Sequence, residues 1–285
     1  MAGRSEFGWN QRGWARRTIA VLLAVAASSL LAACIFAPGT FTSHLDVRKD
    51  RTFAFRYSGE ILMIPLMESE KKAKETFEPG TCHDDETYDE RPCTSDEIAQ
   101  QKAEWEEGRE RRKKNDAQAA QMLLGGIDPS NPESGREIAA KLRRQAGWHK
   151  VDYIGGGKFD VDFSVTGRLD RDFVFPTFEG FAMSNAFVQL TVRDDGTVRI
   201  NAPGFGPANS GAGMAGMMSG MAVASASEDG PTNLANGTLT VVTDAGILAN
   251  NTDGGPRASA GGQTLIWQVN PRTVAAPTAL LKFAD

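Results

Sequence analysis

Residues 41–61 read FTSHLDVRKDRTFAFRYSGEI, and apolar and polar side chains alternate along two runs of this stretch. The apolar positions are Leu45 and Val47 in the first run, and Phe53, Phe55 and Tyr57 in the second. Because successive side chains of a strand point to opposite faces, the alternation predicts two strands that are each buried on one face. The charged residues between the runs are suited to a turn, so the stretch predicts a β-hairpin that packs on a core.

The same alternation returns after Trp148 and continues almost to the C-terminus. The clearest runs are KFDVDFSVTGRL, AFVQLTVRDDGTVRINA with its Asp-Gly turn, and GGQTLIWQV. In the last of these runs, Leu265, Trp267 and Val269 should share the buried face. Consecutive hairpins of this kind predict an antiparallel sheet across residues 148–285.

Residues 67–147 are highly charged and rich in amino acids that favour helices. A first helix is predicted to be capped by Thr94 or Ser95 and to end at the glycine pair that begins with Gly125. A second helix is predicted to begin after Asn131, with a proline in its first turn, and to end at a later glycine. Its apolar face consists of Ile138, Ala139 and Leu142.

These patterns together predict an α+β fold, in which a mostly antiparallel β-sheet carries a segregated region of two helices inserted after the first hairpin. We expect one domain over residues 34–285. Within it, residues 34–66 hold the first hairpin, residues 67–147 the helical region and residues 148–285 the β-rich part. A loop rich in glycine and methionine at 203–232 interrupts the β-rich part.

The N-terminus has the pattern of an export signal. Four arginines precede an uncharged run at residues 19–33, IAVLLAVAASSLLAA. A membrane-spanning helix needs about 20 apolar residues, whereas a cleavable secretory signal has a cationic segment, an apolar core of about 7 to 15 residues and small residues at the cleavage site. The length of the run favours a signal peptide over residues 1–33, and an uncleaved anchor helix is the alternative.

Leu31, Ala32, Ala33 and Cys34 resemble the lipobox of bacterial lipoproteins. The resemblance implies a diacylglycerol on the Cys34 thiol, cleavage before this residue and acylation of the new amino group. Two or three acyl chains hold a protein durably at a bilayer, whereas one chain binds only marginally. Enterobacterial relatives with Asp after the cysteine stay in the inner membrane. Ile35 therefore favours the outer membrane, with the domain facing the periplasm and contacting the membrane through the acyl chains.

The mature chain is acidic. Removing residues 1–33, which hold four arginines and one glutamate, leaves 27 basic and 35 acidic residues. This balance argues against binding to nucleic acid and against electrostatic contact with anionic lipid. The basic run RERRKK at 109–114 could form a patch for nucleic acid or lipopolysaccharide. The glutamates around it favour instead a solvated helical face with ion pairs between residues four apart.

Cys82 and Cys93 are the two cysteines that remain once Cys34 is acylated. In an oxidising compartment an even pair favours a disulfide, which here closes a short acidic loop. The alternative is a metal site built from these cysteines with the intervening residues His83, Asp84 and Asp85. Cysteine ligands of metals are usually spaced more closely than this, so we expect no metal site and no cofactor.

Four methionines, Met214, Met217, Met218 and Met221, fall at helical spacing within the glycine-rich loop. On a helix their thioethers would line one face, but the nearby glycines weaken a helix. Three roles remain open for them. The segment could be a structural loop, it could make adaptable apolar contact with lipid or a partner, or its thioethers could bind Cu(I).

The pattern GTLTVVTDAGILANNTDGG followed by QTLIWQV resembles the LppM-like group of bacterial lipoproteins, as does the early hairpin LDVRKDRTFAFRYSGEI. In that group a strand ending in an Asn-bearing turn precedes a short strand with a Trp. The resemblance implies an α/β fold with a cavity that accommodates lipid. The long charged helix and the methionine loop depart from the group, so no site residue is transferred.

The first functional hypothesis is a non-enzymatic lipoprotein of the cell envelope that binds a partner protein or helps to organise the envelope. The second is a carrier of lipid or another apolar ligand in a cavity between sheet and helix. The third hypothesis is an enzyme, which we do not expect. The histidines of the chain, His44, His83 and His149, are not embedded in a nucleophile elbow, a zinc-binding helix or a phosphate loop.

Overall fold

The computed structural model describes residues 36–84, 87–123, 126–129, 131–178, 186–207 and 234–283. These residues contain three α-helices, two large β-sheets and one two-stranded sheet. The helices are α1 (Ile64–Ala73), α2 (Ser95–Leu123) and α3 (Ser134–Leu142). The strands are β1 (Phe36–Val47), β2 (Thr52–Met63), β3 (Cys82–His83), β4 (Glu90–Arg91), β5 (Trp148–Gly155), β6 (Lys158–Arg168), β7 (Phe173–Phe175), β8 (Val188–Val192), β9 (Thr197–Asn201), β10 (Asn236–Thr243), β11 (Gly246–Asn250), β12 (Arg257–Ser259), β13 (Gly262–Val269) and β14 (Thr278–Lys282).

The larger sheet has seven strands in the order β12-β13-β10-β1-β2-β6-β5, and the smaller has five in the order β11-β14-β9-β8-β7. Most neighbouring strands are antiparallel, as the sequence predicts. Strands β1 and β10 instead run parallel, from Thr40 opposite Asn236 to Val47 opposite Thr243. The alternation of side chains predicts strands but not their partners, so this long-range pair is visible only in the structure.

The core lies between the two large sheets and is filled mainly by aromatic rings. The Tyr57 ring of β2 lies 5.1 Å from Phe175 of β7 and 6.0 Å from Phe187. Phe205, in a short 3₁₀ turn after β9, stacks on Phe41 of β1 at 4.1 Å. The core positions predicted from the alternation are buried, which confirms the predicted faces: Leu45, Val47, Phe53, Phe55, Tyr57, Leu265, Trp267 and Val269.

The helical region differs from the prediction of two helices, because the described residues contain a third. Helix α1 begins directly after β2, with Pro65 in its first turn and Leu66 buried. Proline is favoured in the first turn, where its missing N–H is not needed, yet within a run of apolar residues it also marks the end of a strand. In the sequence, the apolar run before Pro65 therefore has the pattern of a strand that ends at the proline, and the start of α1 is not predicted.

Helix α3 packs on the edge strand β5 and buries Ile138, Ala139 and Leu142, the face that the sequence predicts. It begins at Ser134 rather than directly after Asn131, because the intervening residues form a turn in which the Ser134 amide donates to the Asn131 carbonyl. A close packing contact fixes its first turn. A side chain at Gly135 would place its Cβ 2.4 Å from Cζ of Tyr153.

Candidate functional site

The predicted N-terminal features and the methionine cluster lie outside the described residues. These are the signal peptide at 1–33, the acylation candidate Cys34, and Met214, Met217, Met218 and Met221. The described chain begins two positions after Cys34, at Phe36, which is only 1% exposed. Phe36 pairs with Met63, where β2 ends and α1 begins. The chain thus enters the core immediately after the predicted acylation position.

The predicted disulfide is present, joining Cys82 of β3 to Cys93. Gln101 of α2 approaches it, with Nε2 3.4 Å from the Cys82 Sγ and 3.9 Å from the Cys93 Sγ. The Gln101 Oε1 also accepts a hydrogen bond from the Gly80 amide. The bridge therefore ties the loop to the second turn of α2. Within the described ranges, no three His, Cys, Asp or Glu side chains are placed to hold a metal ion.

The same loop is fixed to the start of α2 by Glu97. Its carboxylate accepts two hydrogen bonds from the Arg91 guanidinium, at 2.8 and 2.6 Å, and one from the Thr94 amide at 2.8 Å. In return the Thr94 hydroxyl accepts a hydrogen bond from the Glu97 amide, which completes a capping box. The hydrogen bonds from Arg91 and then Thr94 lower the pKa of Glu97 to about 2. Of the two predicted N-cap candidates, Thr94 is therefore the residue that caps α2.

Helix α2 is 29 residues long, which is about 43 Å at 1.5 Å per residue. Its described side chains are all at least partly exposed. Besides the contacts of Glu97 and Gln101 described above, it contacts the rest of the described chain through the ring of Trp105, 6.0 Å from that of Phe77, and through an ion pair of Asp116 with Lys72 at 2.6 Å. In the basic run, Arg111 pairs with Glu107 at 3.4 Å. These contacts agree with a solvated helical face rather than a basic binding patch.

Asn251, in the turn after β11, connects the two large sheets. Its Oδ1 accepts hydrogen bonds from Trp267 Nε1 of β13 and from the Thr278 amide of β14, both at 2.8 Å. Its Nδ2 donates to the Ala276 carbonyl, also at 2.8 Å. Asn251 and Trp267 belong to the stretch that resembles the LppM-like group. The sequence shows an asparagine in a turn before a strand that contains a tryptophan. The hydrogen bond from Trp267 to Asn251 gives the physical reason for this pattern.

A cleft of about 280 Å³ lies beside Asn251 on the smaller sheet. Its floor follows one row across three strands, with Arg199 of β9 opposite Leu280 of β14 and Leu280 opposite Ala249 of β11. The complete lining is Arg193, Arg199, Ala249, Asn250, Asn251, Thr278, Ala279 and Leu280. Sequence reasoning missed this site, because the outward residues of a strand resemble ordinary surface until the register brings them together.

Hydrogen-bond acceptors in the cleft are largely occupied by the protein itself. The Asn251 Oδ1 has the two donors named above, and the Asn250 Oδ1 accepts from the Thr252 amide at 3.1 Å and from its hydroxyl. By contrast, the guanidinium groups of Arg193 and Arg199 form no hydrogen bond or ion pair with the residues that the structure describes. Both arginines are exposed, and apolar atoms rather than guanidinium nitrogens form most of the surface of the cleft.

A serine and a histidine also meet on the outer face of the larger sheet. The His149 ring Nε2 lies 2.7 Å from the Ser164 Oγ, a distance that suits a base and a nucleophile. The His149 side chain is exposed, and His44 of β1 lies on the same outer face, two strands from Ser164 and opposite Arg56. Within the described part of the chain, no carboxylate is hydrogen-bonded to His149, so this pair lacks the third group of a triad.

The described residues define a mixed α and β domain, made mostly of antiparallel strands in two packed sheets. Among the helices in these ranges, none combines the length and apolar character needed to cross a bilayer. The chain matches no protein-family model, and comparison with curated proteins finds no match.

Comparison with solved structures finds similarity to the folded domain of LppM from Mycobacterium tuberculosis, determined by NMR. The alignment has 13% sequence identity and covers 89% of this chain and 92% of that domain, with a TM-score of 0.29. LppM is the group that the sequence itself resembles. At this identity and TM-score no residue of the present chain takes a role from LppM, and the sites above stand on their own geometry.

Proposed function

We propose that this chain is a lipoprotein of the cell envelope, anchored by acyl chains on Cys34, whose domain acts by binding rather than by catalysis. The anchor rests on the sequence from the N-terminal arginines to Leu31, Ala32, Ala33 and Cys34. The domain faces the periplasm from the outer membrane, a location favoured by Ile35. Its partner is an envelope protein.

The single observation that best supports the anchor is the position of Phe36. A buried strand begins two residues after Cys34, which is where a domain tethered by its first residue is expected to start. Removing residues 1–33 therefore deletes nothing from the described core.

Binding rather than catalysis is supported by the surroundings of the Ser164–His149 pair. Catalytic groups usually lie in a concave site that excludes water and shifts their pKa values. Here the histidine is exposed on the open face of a sheet. A domain that works through its surface accords better with this arrangement.

The second hypothesis, a lipid carrier, needs an apolar cavity of several hundred Å³ between sheet and helix. In the described residues, the space between α3 and β5 is occupied by Ile138, Ala139 and Leu142 of the helix. The rings of Trp148 and Phe163 pack there at 5.1 Å. This packing favours the partner-binding hypothesis over the carrier.

Metabolic labelling with palmitate in a bacterial host tests the anchor. Wild type should take up label and appear as the shorter mature form, whereas Cys34→Ser should remain an unlabelled precursor. The matched control replaces the other two cysteines, Cys82→Ser with Cys93→Ser, and should keep full labelling. Normal labelling of Cys34→Ser, or loss of label in the control alone, would show that the anchor is assigned to the wrong residue.

Membrane fractionation and native mass spectrometry of the full chain separate the remaining alternatives. An outer-membrane lipoprotein should sediment with outer-membrane markers. A carrier should be purified with a stoichiometric lipid in addition to its covalent acyl chains, whereas the partner-binding hypothesis predicts none. Recovery of such a lipid would replace the first hypothesis by the second.

A further inference from the structure

The strands of the two large sheets end at two opposite ends of the domain. At one of them β1 begins with Phe36, which pairs with Met63, the last residue of β2. The ring of Phe178, which follows β7, lies 4.0 Å from that of Phe36, so the smaller sheet reaches the same end. We call it the Phe36 end.

At the opposite end the chain turns after Val47, and Arg168, the last residue of β6, pairs with Thr52 at the start of β2. The loop after β6 joins the smaller sheet there, because the Asp172 carboxylate accepts a hydrogen bond from the Val192 amide at 2.9 Å. Val192 is the last residue of β8. The turn between β8 and β9 therefore also lies at the opposite end.

Three large apolar side chains are exposed at the Phe36 end. Val274 is 90% exposed in the loop at 270–277 that connects β13 to β14. Ile154 is 56% exposed beside the glycine turn between β5 and β6, and Leu234 is 44% exposed just before β10. In the described chain, the turns at the opposite end expose no large apolar side chain.

The strand register places these three side chains at the Phe36 end. Ile154 lies at the end of β5, which the register joins through β6 to the last residues of β2. Leu234 precedes β10, whose first residues pair with β1 close to Phe36 and with Val269, the last residue of β13. Val274 follows in the loop that leaves β13.

The charge of the connecting segments differs between the two ends in the same sense. Outside the helical region, the charged residues in the described connections at the Phe36 end are Asp253 and Arg272. These connections are 155–157, 176–178, 202–207, 234–235, 251–256 and 270–277. The turns at the opposite end are instead rich in charge: RKDR at 48–51, LDRD at 169–172 and RDDG at 193–196. Charged groups are costly to move out of water, so the Phe36 end is the end suited to apolar surroundings.

We propose that the Phe36 end is a membrane-contact surface, in which Ile154, Leu234 and Val274 enter the boundary between the headgroups and the acyl chains of a phospholipid bilayer. This inference rests on the proposed function, because the acyl chains on Cys34 bring the bilayer to the end where Phe36 begins the domain. The contact removes apolar surface from water, which is favourable. It does not depend on anionic lipid, in keeping with the acidic mature chain.

The contact surface adds a defined orientation to the anchor. Strands β10 and β5 are four positions apart in the larger sheet, so Leu234 and Ile154 are separated by about 19 Å at about 4.8 Å per strand. Acyl chains on one residue hold a domain at one point and leave it free to tilt. Apolar contacts on both sides of that point restrict the tilt, and the charged turns of the opposite end then face away from the membrane.

The test measures fluorescence quenching in the full-length protein, held in nanodiscs of phosphatidylcholine that carry a nitroxide on the lipid headgroup. With Cys34 acylated and Cys82 bonded to Cys93, an introduced cysteine is the one free thiol, and it is labelled with bimane. Lys158→Cys reports on the Phe36 end and Asp194→Cys on the opposite end, and both positions are exposed. Because the nitroxide quenches only at short range, bimane at position 158 should lose most of its fluorescence and bimane at position 194 should keep it.

A pair of serine substitutions separates apolar contact from proximity that the anchor alone imposes. Ile154→Ser with Val274→Ser, in the Lys158→Cys protein, should reduce the quenching at least about twofold, because these side chains no longer gain from leaving water. Leu248→Ser is the matched control. It changes a side chain that is 58% exposed in β11, away from the Phe36 end, and should leave the quenching unchanged.

Palmitate uptake is measured in the same samples, so that failure of the anchor and failure of the contact surface can be told apart. An unlabelled wild type would refute the anchor, and the contact surface with it. In labelled protein, equal quenching at the two reporter positions would overturn the contact surface alone. Quenching that the double serine variant leaves unchanged, or that high salt abolishes, would do the same, because apolar contact is insensitive to screening.

Discussion

Replacing Asn251 with alanine should destabilise the domain more than any other single change at an exposed asparagine in the described chain. The substitution deletes three hydrogen bonds of 2.8 Å, which reach Thr278 in the smaller sheet, Ala276 just before that strand and Trp267 in the larger sheet. A typical hydrogen bond contributes about 1 kcal/mol net, and a buried donor left unpaired costs about 1–3 kcal/mol. Because Trp267 is only 7% exposed, its unpaired N–H should account for most of the loss in the free energy of unfolding.

In the alanine variant, water can reach the Thr278 amide and the Ala276 carbonyl. The loss of each of these two hydrogen bonds should therefore lower the free energy of unfolding by about 1 kcal/mol or less. Together with the Trp267 N–H, the free energy of unfolding should fall by about 3 kcal/mol. Urea unfolding followed by tryptophan fluorescence measures this directly. Asn250→Ala is the matched control, because its side chain bonds only within its own turn, to Thr252, and it should cost about 1 kcal/mol or less.

A double-mutant cycle isolates the bond between the sheets. Trp267→Phe keeps an aromatic ring but removes the N–H that Asn251 accepts. The cycle of Asn251→Ala with Trp267→Phe should give a coupling free energy of about 1 kcal/mol. A loss below about 0.5 kcal/mol in Asn251→Ala, or effects that simply add, would refute the connecting role, since neighbouring bonded groups normally couple.

Two further predictions concern the helices. The lowered pKa of Glu97 means that its contribution to stability is present above the ordinary glutamate value of 4.5 and is lost as the pH falls from there towards about 2. Circular dichroism at 222 nm should therefore show less stable helix at pH 2 than at pH 5, and Glu97→Gln should flatten this difference; an unchanged profile in Glu97→Gln would contradict the assignment. Gly135→Ala should destabilise the domain by about 1–3 kcal/mol, because its Cβ would meet Tyr153 at 2.4 Å. Gly108→Ala, in the exposed α2 with only the end of Arg112 at 3.3 Å, should instead stabilise it by up to about 1 kcal/mol; thermal melts that rank the two variants in the opposite order would refute the packing argument.

Side-chain periodicity predicts the buried face of a strand, because that property is local. Alternation alone predicts that Leu45, Phe55 and Trp267 lie in the core, and all three are buried. Periodicity carries no information on which strand lies beside which. The parallel pairing of β1 with β10 joins Thr40 to Asn236 across most of the chain, so it could not be derived from either stretch.

The cleft on the smaller sheet shows the same limit for a surface feature. Arg199, Leu280 and Ala249 are far apart in sequence and become neighbours only through the registers of β9, β14 and β11. Each residue alone has the pattern of an ordinary outward position. The disulfide could be predicted, because the number of cysteines and the pattern of the N-terminal residues are properties of the sequence. For Asn251, the turn can be predicted from the sequence, but its hydrogen bond with Trp267 cannot.

The immediate start of β1 has a mechanical consequence for the proposed anchor. Only Ile35 separates Cys34 from Phe36, and an extended chain spans at most about 3.6 Å per residue, so these two positions are at most about 7 Å apart. If Cys34 carries the proposed acyl chains, a connection this short would keep the domain next to the bilayer and restrict its rotation. Its Phe36 end, with Met63 and the start of α1 beside it, would then face the headgroups. The turn that follows Val47 lies at most about 40 Å from Phe36 at about 3.3 Å per residue, which would limit how far that end of the hairpin extends from the membrane.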